Sequence, residues 1–293
     1  VVSVIMNCYN GEKYLHEAIE SVLSQTYHNW EIIFWDNKST DSSAEIFKSY
    51  NDDRLKYFYA ENHTLLYEAR NYSIEKASGE FFAFLDVDDT WVPEKLEKQI
   101  PLFKDKDVGL VYSNYWFNNV TKNSCKILYK NKLPTGTIIN DLLAKYVVGL
   151  LTVIVRRECF FSMDKQFDTS YNIIGDFDLT IRIAAKYKIE CIQDPLAIYR
   201  YHEESISFQQ RDKHIGEMEK WVSNINRYPD IAKQTMYVKQ KENILYLKLV
   251  SLVYDNKKIQ ALKLFAKIPF GRLKLKSFLM LLLPMSLIVM IKR

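Results

Sequence analysis

Phe84-Leu85-Asp86-Val87-Asp88-Asp89 places three carboxylates within four residues, directly behind a short apolar run. Carboxylates this close repel one another, and a compensating cation removes the conflict. In an extended chain alternate side chains share a face, so Asp86 and Asp88 point the same way and together suit a hard divalent ion, which takes oxygen ligands and leaves positions open for substrate phosphates. For the string alone the competing reading is a turn of helix-capping aspartates ahead of Pro93. A second acidic site, Ile174-Gly175-Asp176-Phe177-Asp178, opens a segment of helical spacing. Asp176 read alone is an N-cap, and Asp178 with Arg182 at i,i+4 is an ion pair. Tyr199-Arg200-Tyr201-His202 closes a β-type run. Its imidazole is a ligand that Mn²⁺ accepts more readily than Mg²⁺, or else a loop histidine in solvent.

The elements that must position these residues follow from the apolar spacing. Val1–Met6 is a β-branched run that stops at Asn7-Cys8-Tyr9-Asn10-Gly11, and Tyr14, Leu15, Ala18, Ile19, Val22 and Leu23 then recur at helical spacing. The unit repeats, with strands at Glu31–Trp35, Leu55–Tyr59 and Phe81–Leu85 and helices at Ala44–Tyr50 and Leu65–Ala77. Strands alternating with helices predict a mostly parallel sheet flanked by helices, and ligands of such sheets gather at the carboxyl ends of the strands. The polar turns Asn7–Asn10, Asp36–Asp41 and Asp86–Asp89 all fall there. Further strands are expected near Leu110–Ser113, Leu151–Val155 and Leu196–Tyr201, with a helix at Asp176–Tyr187. Beyond Lys213 the periodicity is helical only, which puts a boundary near residue 210: one domain over residues 1–210 and a helical extension over 211–293.

Taken in order, these motifs resemble the nucleotide-sugar glycosyltransferases of family 2, over roughly residues 1–207. Val2-Ser3-Val4-Ile5-Met6-Asn7-Cys8-Tyr9-Asn10 is similar to the family's opening strand and turn, with Asn7 where Pro is frequent. Ile32-Ile33-Phe34-Trp35-Asp36-Asn37-Lys38-Ser39-Thr40-Asp41 resembles its second motif, with Asn37 where a second Asp is usual. Ala69-Arg70-Asn71 and Gly79-Glu80 precede the Asp86–Asp89 string at the family spacing, and Gly175 stands where a Glu is more usual. The resemblance implies the GT-A, Rossmann-like α/β fold and an inverting transfer of sugar from a nucleotide diphosphate donor, UDP by family frequency, to an acceptor hydroxyl. It implies that Asn7 and Tyr9 lie at the nucleotide, with the Tyr9 ring on the base, and that Asp36 accepts from the base. It gives Asp86 to the ribose, Asp88 and His202 to a Mn²⁺ or Mg²⁺ ion, and the role of general base to Asp176. Arg70 either steers the diphosphate or pairs with a neighbouring Glu.

Composition sets the outer limits. The chain of 293 residues, 48% hydrophobic and 26% charged, holds 8 Gly and 7 Pro, an ordinary globular make-up that excludes disorder as its main state. With aromatics at 14% of the chain, Trp91, Tyr115, Trp116 and Phe117 read as packing before they read as sugar platforms. Cys8, Cys125, Cys159 and Cys191 lie far apart without C-x-x-C spacing, so neither a disulfide framework nor a zinc site is expected. No basic leader or cleavage site opens the chain, and a cytoplasmic compartment is the default reading.

The net charge of +4 is uneven: residues 256–293 hold nine Lys or Arg and no Asp or Glu. In that segment Phe278–Ile291 is apolar apart from Ser286 and broken by Pro284. As a helix it spans about 21 Å, short of a ~30 Å hydrocarbon core. A buried core helix is the competing reading, but with Arg272, Lys274 and Lys276 before it and Lys292 and Arg293 after, it reads as an interfacial or re-entrant segment holding the chain on an anionic, cytoplasmic membrane face. A lipid-linked or cell-surface saccharide is then the expected acceptor, and nucleic acid is not an expected partner. Two rivals stand beside this reading. A nucleotidyltransferase shares the sheet but opens on a Gly-rich, basic loop that Asn7–Gly11 lacks, and a membrane scaffold binds a nucleotide sugar without turnover.

Overall fold

The computed structural model describes residues 1–202 and 210–284. The chain divides into two compact units, one of Val1–Ile139 with Tyr146–Gln209, the other of Asn140–Lys145 with Gln210–Arg293. The first is built on β1 (Val2–Cys8), α1 (Glu12–Leu23), β2 (Trp30–Asp36), α2 (Ser43–Lys48), β3 (Leu55–Tyr59), α3 (Leu66–Glu75) and β4 (Phe81–Phe84). Every residue of β1 is buried, as a central strand covered on both faces requires. In α1 the buried Leu15, Ala18, Ile19 and Val22 form one stripe against the sheet. The core beneath it gathers Val4, Met6, Ile32, Phe34, Ala83 and Leu85.

After β4 come β5 (Thr90–Trp91), α4 (Lys95–Gln99), β6 (Val108–Asn119), β7 (Ser124–Ile127), α5 (Ile139–Ala144), β8 (Ile154–Arg156), α6 (Arg157–Phe161), α7 (Gly175–Ala184) and β9 (Lys188–Tyr201). The strands form one sheet in the order β3-β2-β1-β4-β8-β6-β9-β5, with β7 paired to β6. Its first half is parallel as expected, but the sheet as a whole is mixed. β8 runs antiparallel to both β4 and β6, β7 to β6, and β5 to β9. The reason is in the connections: β6 turns straight back into β7 with no crossover helix, which permits only an antiparallel pair. β9 begins eight residues before the apolar alternation predicts. Register shifts against β6 near Ser113, Asn114 and Trp116 break the two-residue period there.

The second unit is helical, with α8 (Arg211–Ser223), α9 (Pro229–Ala232), α10 (Tyr237–Tyr254), α11 (Lys258–Lys267) and α12 (Arg272–Leu282). Leu249, Val253, Ala261 and Ile268 are its buried centre. Asn140–Lys145 joins it through hydrogen bonds of Asn140 with Gln234 (3.0 Å) and of Gln240 with the Leu143 carbonyl. α12 stops at Leu282, just before Pro284, and residues 285–293, most of the second half of the apolar segment, lie outside the described residues. Among the described residues no helix is long and apolar enough to cross a membrane.

One buried carboxylate staples the amino end of the parallel half. Glu31 accepts from Ser3 Oγ (2.6 Å), the Ser78 N–H (2.7 Å), Ser78 Oγ (2.8 Å) and Lys56 Nζ (2.5 Å). Although burial acts against its charge, these donors together hold its pKa at about 2. The folded value lies below the unfolded one, so the stabilisation is full above about pH 4.5 and fades as pH falls toward 2. Glu31→Gln is expected to cost about 2–3 kcal/mol at pH 7 and much less at pH 3, read from urea unfolding of both proteins at each pH.

Candidate active site

The carboxyl ends of β1, β2 and β3 lie in register, with Cys8 opposite Asp36 and Asp36 opposite Tyr59. The turns that follow therefore share one edge. Asp36 is fully buried, and both its oxygens are engaged: Oδ1 accepts the Ser39 N–H and Oδ2 the Tyr57 hydroxyl, each at 2.7 Å. Asn37 clamps the loop before α3, donating to the Thr64 carbonyl (2.8 Å) and accepting the Thr64 N–H (3.2 Å). A carboxylate cannot donate, so only the amide makes both bonds. Tyr9 is 53% exposed with its ring 4.3 Å from that of His63, and offers a free face at this edge. Asn7 is buried, donates to Ser73 Oγ (2.8 Å) and leaves Oδ1 without a partner.

Helix α3 keys the rest of the site. Arg70 is buried, and its guanidinium lies 2.5 Å from Asp86 Oδ1, so its partner is an aspartate of the acidic turn and not the neighbouring Glu expected from the sequence. Asn71 holds the Phe167 backbone at both its carbonyl (2.9 Å) and its N–H (3.2 Å). Asp86 and Asp88 thus part company: Asp86 turns to Arg70, whereas Asp88 Oδ2 lies 3.0 Å from His202 Nε2. Burial and the charge of Asp86 push the Asp88 pKa up, and His202 works against that rise. Asp89 is buried and accepts the Arg200 N–H at 2.8 Å; burial and its two acidic neighbours raise its pKa strongly. Among the described residues no three His, Cys, Asp or Glu side chains are gathered as a metal site. What Asp88 and His202 present is one oxygen and one nitrogen donor at a single point. That set fits a cation completed by substrate phosphates and water, and it does not make a cage.

Asp176 is not an N-cap. Ile174 holds that position and Asp176 lies inside the first turn of α7, where its Oδ1 is 3.1 Å from the Tyr67 hydroxyl of α3. Burial raises its pKa, while the Arg70 charge, the Phe177 N–H and Tyr67 act in the other direction. Asp178 and Arg182 form the expected pair at 2.8 Å, both buried. The remaining guanidinium N–H groups of Arg182 reach the carbonyls of Lys165 (2.5 Å) and Gln166 (2.7 Å), which fixes the loop before α7.

Sequence reading alone misses Tyr67, Glu17 and Tyr14. Arg200 pairs with Glu17 and lies 4.3 Å over the Tyr14 ring, which is also 5.3 Å from the His202 ring. Tyr14 reads from its spacing as one more apolar position of α1, and nothing in a single sequence marks Tyr67 as facing α7. Three of the four aromatics held in doubt pack on neighbours: Trp91 is buried and donates to the Leu151 carbonyl (2.8 Å), and Tyr115 and Phe117 lie against Tyr199.

Residues 3–162 match the family model described as Glycosyl transferase family 2. The chain is 38% identical over 157 residues to the Escherichia coli protein named UDP-Glc:alpha-D-GlcNAc-diphosphoundecaprenol beta-1,3-glucosyltransferase WfgD, across 54% of this chain and 60% of that protein. It is 32% identical over 160 residues to a putative teichuronic acid biosynthesis glycosyltransferase, TuaG, of Bacillus subtilis, across 54% of this chain and 63% of the relative. The chain therefore spans between 60% and 63% of the length of these two relatives. The fold is shared with S. aureus TarS 1–349 in complex with UDP-GlcNAc, at TM-score 0.65 and 17% identity over 92% of this chain and 81% of that one. It is shared equally with the mannosyltransferase PcManGT of Pyrobaculum calidifontis in complex with GDP-Man and Mn²⁺, at TM-score 0.65 and 17% identity over 95% and 78% of the two chains.

The Asp178–Arg182 pair anchors the helix that carries Asp176, and its rupture leaves a charge stranded in the interior. Arg182→Met is expected to destabilise the fold by about 3–5 kcal/mol, and the double variant Asp178→Leu/Arg182→Met to recover part of that loss. Thermal melts of the three proteins make the comparison; equal loss in single and double variants would contradict it.

Proposed function

The chain belongs to glycosyl transferase family 2, and on that premise we propose that it moves a sugar from a UDP-type nucleotide diphosphate donor to an acceptor hydroxyl, with inversion at the anomeric carbon. The observation that carries this reading is the arrangement around α3, where a buried cation (Arg70), a carboxylate–imidazole pair (Asp88 and His202) and a half-buried carboxyl (Asp176) are fixed by neighbouring elements. Tyr9 offers its exposed ring to the base, and Asn7, whose buried Oδ1 lacks a hydrogen-bond partner, stands two residues before it at the end of β1. Asp36, already engaged by Tyr57 and Ser39, takes part by holding the turn that borders the base. Asp86, 44% exposed beside Arg70, has room to accept from the ribose. The ionised Asp176 removes the acceptor hydroxyl's proton as its oxygen lone pair forms the new bond to C1. The bond from C1 to the diphosphate oxygen breaks, and its electron pair leaves with the diphosphate. Asp88 and His202 would hold Mn²⁺ or Mg²⁺, which when bound supplies positive charge beside that leaving group.

A lipid-linked saccharide is the acceptor class we assign. WfgD is named for such an acceptor, and the second unit presents a surface fit for a membrane interface. In α12, Ser277 is buried while Leu275, Phe278, Leu279 and Leu282 stand exposed among Arg272, Lys274 and Lys276. Apolar side chains with basic neighbours suit the headgroup boundary of an anionic leaflet.

Purified chain incubated with Mn²⁺ and a panel of UDP-, dTDP- and GDP-sugars is expected to release free sugar and UDP from a UDP donor. Asp88→Ala should abolish Mn²⁺-dependent UDP binding, and Asp176→Asn should bind UDP as before yet turn over at least about 10²-fold more slowly. Pyrophosphate release would identify a nucleotidyltransferase instead, and silence with intact binding a scaffold.

Flotation separates the membrane assignment from the chemistry. The native chain should rise with vesicles containing anionic phosphatidylglycerol and less with neutral ones, and Leu275→Glu/Leu279→Glu should stay at the bottom with its donor turnover unchanged. Equal flotation of both proteins would remove α12 from the interface.

A further inference from the structure

We propose that the Tyr67 hydroxyl is the positioning group for Asp176, holding the carboxyl in both of its protonation states by turning its one proton between two acceptors. The inference rests on the assignment of Asp176 as the base and deepens it. Tyr67 Oη lies 3.1 Å from Asp176 Oδ1 and also 3.1 Å from the Ile173 carbonyl oxygen. A phenol has a single proton to give, so the two bonds alternate. While Asp176 is ionised, the charge-assisted bond to the carboxylate is the stronger of the two and the hydroxyl turns there. Once Asp176 has taken the acceptor's proton, its own O–H donates to the Tyr67 oxygen and the phenolic proton turns to Ile173. No buried donor is stranded in either state, and Tyr67 keeps its proton throughout.

The ring is built into place. It is buried, stacked on Phe167 at 5.2 Å, with the Arg70 guanidinium 5.3 Å from its centroid. A Cβ at Gly175 would lie 2.7–2.8 Å from three of its carbons, so the ring occupies the volume that a side chain at position 175 would need. Gly175 stands where the family resemblance leads one to look for Glu. The missing carboxylate and the inserted tyrosine are thus two sides of one arrangement, in which the partner of Asp176 comes from α3. The other groups facing Asp176 are accounted for. Arg70 stabilises its charge, Tyr146 is hydrogen-bonded to Thr180 at 3.2 Å, and Asp178 is held by Arg182. Burial favours the protonated carboxyl and Tyr67 opposes it, so removing the hydroxyl must raise the Asp176 pKa.

The test uses the full chain without metal, labelled with ¹³C at Asp Cγ and Tyr Cζ, the Asp176 and Tyr67 signals being assigned with Asp176→Asn and Tyr67→Phe. In the native chain the Tyr67 Cζ shift is expected to inflect at the same pH as Asp176 Cγ. In Tyr67→Phe, which keeps the ring against Gly175, the Asp176 midpoint should move up by about one unit, a tenfold gain in proton affinity. A Tyr67 signal flat through the Asp176 titration overturns the proposal, and does so from the native chain alone if the variant fails to fold. An unmoved midpoint in a folded Tyr67→Phe overturns it as well. Failure of the underlying reading looks different: Asp176→Asn would then turn over donor at the native rate while Tyr67 and Asp176 still titrate together.

Discussion

The pairing of the buried Arg70 with the half-exposed Asp86 is the contact on which the carboxyl edge of the sheet depends. Three aspartates crowd the end of β4, and in a low-dielectric edge their charges cannot coexist without compensation. Each is relieved by a different element: Asp86 by the Arg70 guanidinium, Asp88 by His202, and Asp89 by the Arg200 N–H. Of these, Arg70 is the one permanent charge buried in its entirety, and without Asp86 it would be stranded. Loss of either partner would therefore unsettle α3 as well as the acidic turn.

Because α3 is rigid over its length, what is fixed at Arg70 is fixed elsewhere along it. Tyr67, Arg70 and Ser73 recur at the three-residue spacing of one helix face and reach α7, the turn after β4 and the end of β1 in sequence. Asn71, one residue off that face, ties down the Phe167 backbone. Asp86 and Asp176 are thereby both held by side chains of one helix, a placement more precise than a loop gives. The same geometry couples them electrostatically. The Arg70 charge that answers Asp86 also lowers the proton affinity that burial gives Asp176.

Much of this was legible in the residues. Alternating runs located β1 to β4 and the helices between them because each buries a continuous or one-sided apolar set, and the rule that ligands gather beyond strand ends picked out the turns that do converge. Legibility fades after Phe84, where the sheet becomes mixed and bulges against β6 break the period of β9. Side-chain direction was beyond reach as well. Alternation puts Asp86 and Asp88 on one face, yet the chain leaves β4 at Phe84 and turns, with the Asp89 N–H bonded to the Asp86 carbonyl, so the two carboxylates diverge to Arg70 and His202. Asp176 shows the same limit: its position alone reads as a cap, and its hydrogen bond to Tyr67, more than a hundred residues away in the chain, could not be read from the sequence.

The positions where the chain departs from the pattern it resembles carry local reasons. Asn37 stands where a second Asp is usual and uses both halves of its amide on Thr64, a task a carboxylate would fail by opposing the Thr64 carbonyl. Asn7 replaces a frequent Pro and gains a donor that fastens β1 to Ser73, while its Oδ1 is buried without a hydrogen-bond partner. Gly175 yields its volume to the Tyr67 ring. In each case the substituted residue answers a partner on α3 or on the loop leading into it. The departures are therefore linked: each sets a residue against α3 or the loop leading into it, and the same helix brings Tyr67 to Asp176.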